Sequence, residues 1–225
     1  MTGEPGLFPR LVRASEDNWR AYVGHEFVLQ LASGVLPEPC FRRYLVQDYL
    51  FLIHFARAWG LAIYKSDTLS EMRRAQRLVA ATLDVEIGLH IDYCRGWGLS
   101  EGAMAAEPEA SETIAYTRFV LDRGVAGDRL DLETALAPCI VGYAVIAAER
   151  MADPATRLDR NRYREWLEMY AGAEYQTLAR EAESALDEQF ARRSGDGRFA
   201  SLAANFSLAA RLEAEFWQMG LGARR

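Results

Sequence analysis

Apolar residues recur three and four positions apart along most of the chain, and no segment alternates apolar and polar residues between turn dipeptides. This periodicity predicts an all-α fold. The first helical stretch runs to about Ser33 and is closed by Gly34. A Pro37-x-Pro39 entry starts a long helix to about Lys65, with Pro39 at a tolerated early position. A third helix is expected from Ser70, whose hydroxyl can cap its free amides, to Arg95, with Gly96 and Gly98 ending it. Pro108 and Ser111 precede a fourth that ends at Gly124. A fifth spans Leu130 to Met151 around Pro138 and stops at Asp153-Pro154, and a sixth covers Arg162 to Ala191. After the loop Ser194-Gly195-Asp196-Gly197, a last helix runs from Phe199 to Met219, and the tail Gly220-Leu221-Gly222 is expected to fray. No linker is long enough to divide the chain, so residues 1–225 read as a single-domain helical bundle without repeats.

Three residues break this pattern. In the second helix the apolar seam is Phe41, Leu45, Asp48, Leu52, Phe55, with a carboxylate where a core residue belongs. The last helix does the same with Phe206, Ala210, Glu213 and Trp217. An unpaired carboxylate in an apolar setting costs several kcal/mol, so each acid is paired, protonated or lines a cavity that binds something. Asp48 could simply pair with Arg42 or Arg43. Two acids on two inward stripes also fit a polar pocket inside a helical bundle.

The third break is Pro138, which precedes Cys139 in the run Ala135-Leu136-Ala137-Pro138-Cys139-Ile140-Val141-Gly142-Tyr143. A proline inside a helix removes one backbone hydrogen bond, here to the carbonyl of Thr134, at a cost of about 3 kcal/mol. Tyr143 follows Cys139 by one turn, so thiol and phenol share a face. Buried cysteine is most often an inert small hydrophobe, and a local rule violation is where a reactive one would sit.

Composition narrows the chemistry. Half the residues are apolar and 26% are charged, which is ordinary globular composition. A net charge of −6, with basic residues interleaved among acids, argues against nucleic-acid binding. No signal-like pattern opens the chain, and no run of apolar residues approaches a membrane span, so neither a membrane nor an export route is expected. Cys40, Cys94 and Cys139 are odd in number and widely spaced, which suits neither a disulfide framework nor a Cys-x-x-Cys metal site and points to the cytoplasm.

The stripe Val79, Leu83, Glu86, His90 invites a metal site, with His25 and His54 the remaining histidines. Di-iron bundles use two Glu-x-x-His motifs, whereas this chain has one Glu86-x-x-x-His90, so neither metal nor cofactor is expected and the pair is read as a buried tether between helices. A metal-dependent oxidase on the same scaffold stays as the alternative. Tyr163, Trp166 and Tyr170 form an aromatic stripe in the sixth helix. Tyr116, Tyr143, Tyr163 and Tyr170 carry hydroxyls that need partners when buried, so these tyrosines could wall a site for a flat polar ring.

In order and spacing, the segments Tyr44-Leu45-Val46-Gln47-Asp48-Tyr49 with His54-Phe55, Glu86-x-x-x-His90, Leu136-Ala137-Pro138-Cys139 with Tyr143, Tyr163-x-x-Trp166-x-x-x-Tyr170 and Glu213-x-x-Phe216-Trp217 resemble the thiaminase II, or TenA, family over nearly the full length. The resemblance implies the all-helical fold shared with haem oxygenase. It also implies hydrolysis of the group carried on the methylene arm of a 4-amino-2-methylpyrimidine, thiamin or an aminomethylpyrimidine, to hydroxymethylpyrimidine in thiamin salvage. On that footing Cys139 is the nucleophile, Glu213 the acid/base group, Asp48 the aminopyrimidine anchor, and Tyr116, Tyr143 and Tyr170 the pocket wall. The family implies a homotetramer. Family members often carry tyrosine where this chain has Phe51, which keeps a stacking face and loses a hydroxyl. A non-catalytic pyrimidine binder is a further alternative. Residues 98–110 carry no recognisable motif. Pro138 is expected to turn the helix so that Cys139 and Tyr143 face a cavity holding Asp48 and Glu213.

Overall fold

The computed structural model describes residues 5–193, 195 and 197–223. Every regular element among them is helical: α1 (Leu7–Ala14), α2 (Glu16–Val23), α3 (Glu26–Ser33), α4 (Glu38–Tyr64), α5 (Leu69–Ala80), α6 (Ile87–Gly96), α7 (Glu101–Ala105), α8 (Ser111–Ala126), α9 (Arg129–Ala137), α10 (Tyr143–Ala152), α11 (Arg164–Ala171), α12 (Ala173–Arg193) and α13 (Arg198–Leu221). Two π-helical turns, Ala81–Glu86 and Pro138–Gly142, join α5 to α6 and α9 to α10. The all-α expectation holds. The chain groups into two compact units: one comprises the residues up to Leu36 with Glu133–Trp217, the other Pro37–Leu132 with the residues from Gln218 onward.

In the first unit, α10 packs on α2, α3, α11 and α12, and α12 also covers α1. Its core is aromatic. Trp217 is fully buried, stacked on Phe27 at a centroid distance of 5.0 Å, with Tyr143 at 5.3 Å. Gly34 takes φ +78°, the left-handed cap expected of it after α3, and Asn161 lies against it while its amide donates to the carbonyls of Leu31 and Ala32. The sixth predicted helix is two helices, because Gly172 leaves helical geometry (ψ 149°) between α11 and α12. The loop predicted at Ser194 to Gly197 falls partly on residues outside the described set.

In the second unit, α4 is the central element, packed by α5, α6, α7 and α8. Its 27 residues bury Phe41, Leu45, Asp48, Leu52 and Phe55, the seam read from the spacing. The third predicted helix departs twice. Thr68, rather than Ser70, caps it, its hydroxyl accepting from the Glu71 amide at 3.3 Å. The π turn at 81–86 then adds one residue to the repeat and shifts the inward face. Thr82 and Ile87 are buried where Leu83 is 46% exposed, and the stripe returns to register at His90. The featureless stretch 98–110 contains α7, capped by Ser100. Nor does the tail fray: α13 runs to Leu221, whose carbonyl accepts from Cys40 Sγ at 3.5 Å.

The run Arg129–Ala152 is long and apolar enough to cross a membrane, contrary to the expectation that no segment approaches this length. However, 94% of its most apolar stretch is buried inside the protein, as in a core helix.

Candidate functional site

The candidate residues are distributed over the two units. In the second unit Asp48 is 3% exposed, in mid-helix. Neither Arg42 nor Arg43 satisfies it. Tyr44, one turn earlier, donates its hydroxyl to Asp48 Oδ2 at 2.9 Å, and His90 Nε2 meets the same oxygen at 2.7 Å. The other ring nitrogen, His90 Nδ1, lies 2.7 Å from the carbonyl of Glu86, which can only accept, so Nδ1 carries a proton. A carboxylate at Asp48 then makes the ring an imidazolium. Burial alone would lower the pKa of this fully buried histidine, but the bond to Asp48, its charge and that of Glu86 prevail and raise it. The tether expected between Glu86 and His90 therefore runs through the Glu86 backbone, and the side-chain partner is Asp48.

Phe51, one turn beyond, faces Tyr116 at 5.0 Å and Phe55 at 5.8 Å. Gln47, fully buried beside Asp48, donates to the Pro108 carbonyl at 2.9 Å and accepts from the Ala110 amide and the Thr113 hydroxyl, both at 2.7 Å. This clamp fixes the end of the 98–110 segment against α4. Gln47 is off the four-three seam that marks Asp48, so its only sequence signal is a polar residue beside Asp48 in an apolar helix. Tyr49 Oη adds a 3.3 Å bond to Glu101 on α7.

In the first unit Pro138 opens the π turn that carries Cys139. The proline cannot donate its backbone nitrogen, and the wider turn accommodates this without ending the helix. Cys139 is 7% exposed, and like Cys40 and Cys94 it is a thiol and not a disulfide. Burial pushes Cys94 up to about 11, which makes it a poor nucleophile. Tyr143 sits 4.9 Å from Tyr170 and 5.8 Å from Trp166, an aromatic cluster within the first unit. The Tyr163 hydroxyl donates to the Leu36 carbonyl at 2.5 Å and pins the chain after α3. Glu213 is 2% exposed on α13, on the buried stripe of Phe206, Ala210 and Trp217.

The other histidines have structural partners. His25 Nδ1 accepts from the Phe27 amide at 3.1 Å and caps α3. His54 lies 2.7 Å from Glu109, beside Arg57 and Arg118. Burial and the two guanidinium groups hold its pKa below the ordinary value, against the pull of Glu109. Among the described residues, no group of three or more His, Cys, Asp or Glu side chains is placed to hold a metal ion.

Several known proteins are similar to this chain. An aminopyrimidine aminohydrolase from Halalkalibacterium halodurans is 34% identical over 214 residues, covering 95% of each chain. An uncharacterized protein of Haemophilus influenzae is 38% identical over 218 residues, 96% of this chain and 99% of that one. The chain also matches, at 35% identity, 36% of the length of a fission-yeast protein named as a putative hydroxymethylpyrimidine/phosphomethylpyrimidine kinase. Among solved structures, a protein of Silicibacter sp. described as a TenA family transcription regulator superposes with a TM-score of 0.91 at 43% identity, covering 96% of both chains. The model of the TENA/THI-4/PQQC family matches residues 13–223, and the chain belongs to that family.

Proposed function

We propose that this protein is an aminopyrimidine aminohydrolase of the thiaminase II type, which hydrolyses the methylene-linked group of a 4-amino-2-methylpyrimidine to give hydroxymethylpyrimidine. The observation that carries the reading is Asp48, a buried carboxylate in mid-helix whose Oδ2 is held by Tyr44 and His90. An aminopyrimidine presents an exocyclic amine, which donates, and Asp48 Oδ1, the oxygen that Tyr44 and His90 do not take, is the acceptor that matches it. The curated relatives named aminopyrimidine aminohydrolase support the same substrate class.

The chemistry assigned to each side chain keeps atoms and charge in balance. The Cys139 thiolate adds to the electron-poor CH carbon of the ring, and a protonated Glu213 gives its proton to the adjacent ring nitrogen. The electron pair so gained expels the leaving group from the methylene arm. Water then adds at the methylene carbon and its proton goes to the departing amine, or to solvent where a neutral thiazole departs; the ring nitrogen returns its proton to Glu213 as the thiolate leaves and aromaticity is restored. Tyr143 and Tyr170 position the water and the acid, while Phe51 and Tyr116 stack on the ring. The missing hydroxyl at Phe51 bears on preference between thiamin and an aminomethylpyrimidine, not on the reaction type. Three cysteines in thiol form support a reducing compartment such as the cytoplasm. The exposed apolar residues Tyr64, Leu69, Val85 and Val125 support assembly into an oligomer, a tetramer in this reading.

A product assay by mass spectrometry on thiamin and on 4-amino-5-aminomethyl-2-methylpyrimidine tests the reading. Hydroxymethylpyrimidine from one of them is expected. Binding of both without turnover would leave a pyrimidine-binding protein and overturn it.

A further inference from the structure

Tyr22 lies on α2, far in sequence from every residue assigned to the chemistry, yet it is fully buried and its hydroxyl donates to the Pro138 carbonyl at 3.1 Å. That carbonyl belongs to the peptide that leads into Cys139. Its place in the π turn matters, because a π turn carries one residue more than an α turn and can slip back to α spacing, which would swing the side chains that follow by about 100°. An acceptor held from outside the helix resists that slip. The Tyr22 ring is itself fixed, edge-on to Trp19 at 5.7 Å and nearly parallel to Trp217, with an interplanar angle of 16°.

Gly142 completes the device. A Cβ at this position would overlap the edge of the Tyr22 ring and come within 2.7 Å of its hydroxyl, so only glycine lets the ring reach across the π turn to Pro138. The need is one of space, since Gly142 has ordinary helical angles (φ −63°, ψ −42°). Glycine inside a helix costs about 1 kcal/mol relative to alanine, and here it opens the path for one hydrogen bond to the turn that carries the thiol.

We infer that Tyr22, admitted by Gly142, is a positioning residue for Cys139: it locks the Pro138–Gly142 turn in π register and so fixes where the thiol points. The inference rests on the assignment of Cys139 as nucleophile only for its effect on turnover; its effect on the thiol is separately measurable.

The test uses Y22F, which removes the hydroxyl alone, G142A, which displaces the ring, and the double variant. Turnover is measured per folded protein, and the rate of Cys139 alkylation by iodoacetamide is read by peptide mass spectrometry. In Y22F, kcat is expected to fall about tenfold or more with KM little changed, as it does when a reacting atom is misplaced. Cys139 alkylation slows at least threefold, while that of Cys40 and Cys94 keeps its wild-type rate. The double variant is no slower than G142A, because both substitutions break the same bond. A merely structural role would lower the melting temperature and leave kcat per folded molecule at the wild-type value in all three variants. Wild-type alkylation of Cys139 in Y22F overturns the inference whatever the turnover. Slowed alkylation with unchanged kcat upholds the lock and counts against Cys139 as nucleophile.

Discussion

His90 and Asp48, 42 residues apart in sequence, share one buried hydrogen bond of 2.7 Å, and the second nitrogen of His90 is spent on the Glu86 carbonyl. The imidazole therefore has no freedom to rotate away, and one carboxylate oxygen of Asp48 is committed. Replacing His90 by glutamine removes the cationic partner of the acid and leaves it only neutral donors. Breaking a buried charged pair costs about 3–5 kcal/mol, and binding of hydroxymethylpyrimidine should weaken about tenfold or more. Chemical denaturation and calorimetric titration of H90Q check both. Wild-type affinity in a folded H90Q would remove Asp48 as the anchor.

The same pair sets a pH dependence. The bond to Asp48 raises the folded-state pKa of His90 above the unfolded value, overcoming burial, so the folded state holds the proton more tightly. That stability is fully present below the unfolded histidine value of about 6.5 and is lost as pH rises through the higher folded value. Urea midpoints measured from pH 6 to 9 should fall for wild type relative to H90Q. Parallel curves would contradict the charged pair.

At Glu109 the sign is reversed. Hydrogen bonds from Arg118 hold its carboxyl below the usual range against the effect of burial, so the stability it adds is present above the unfolded carboxylate value and is lost as pH falls through the folded one. R118A should unfold at a higher pH in an acid titration, yet cost less than about 1 kcal/mol at neutral pH, because Arg118 is half exposed to solvent. An unchanged acid midpoint would show the pair to be inert.

Much of this architecture was legible in the sequence. The four-three spacing around Asp48 and Glu213 placed both acids in the core, and Pro138 marked the segment where the helix widens, because missing donors and polar core residues leave traces in a periodic pattern. The π turn at 81–86 left no such trace. It carries no proline, so a plain 3.6 repeat placed Leu83 inside, where Thr82 is buried instead. Partners were the other blind spot: spacing shows that Asp48 needs one, but choosing His90 over Arg42 requires the tertiary register of α4 against α6. Tyr22 was invisible for the same reason.

Gly34 is a simpler case, since its left-handed backbone is required to end α3. G34A should destabilise the protein by about 1–2 kcal/mol, read as a lower urea midpoint with kcat unchanged. A neutral substitution would mean that the cap relaxes without cost.

The proposed role of Cys139 as covalent nucleophile toward an aminopyrimidine is tested at the residue itself. The direct measurement is hydroxymethylpyrimidine formation by C139S, compared with wild type on the same substrate, alongside its melting temperature and its affinity for the product. The variant is expected to fold and bind as wild type does and to release no hydroxymethylpyrimidine. Undiminished turnover by C139S would contradict the account.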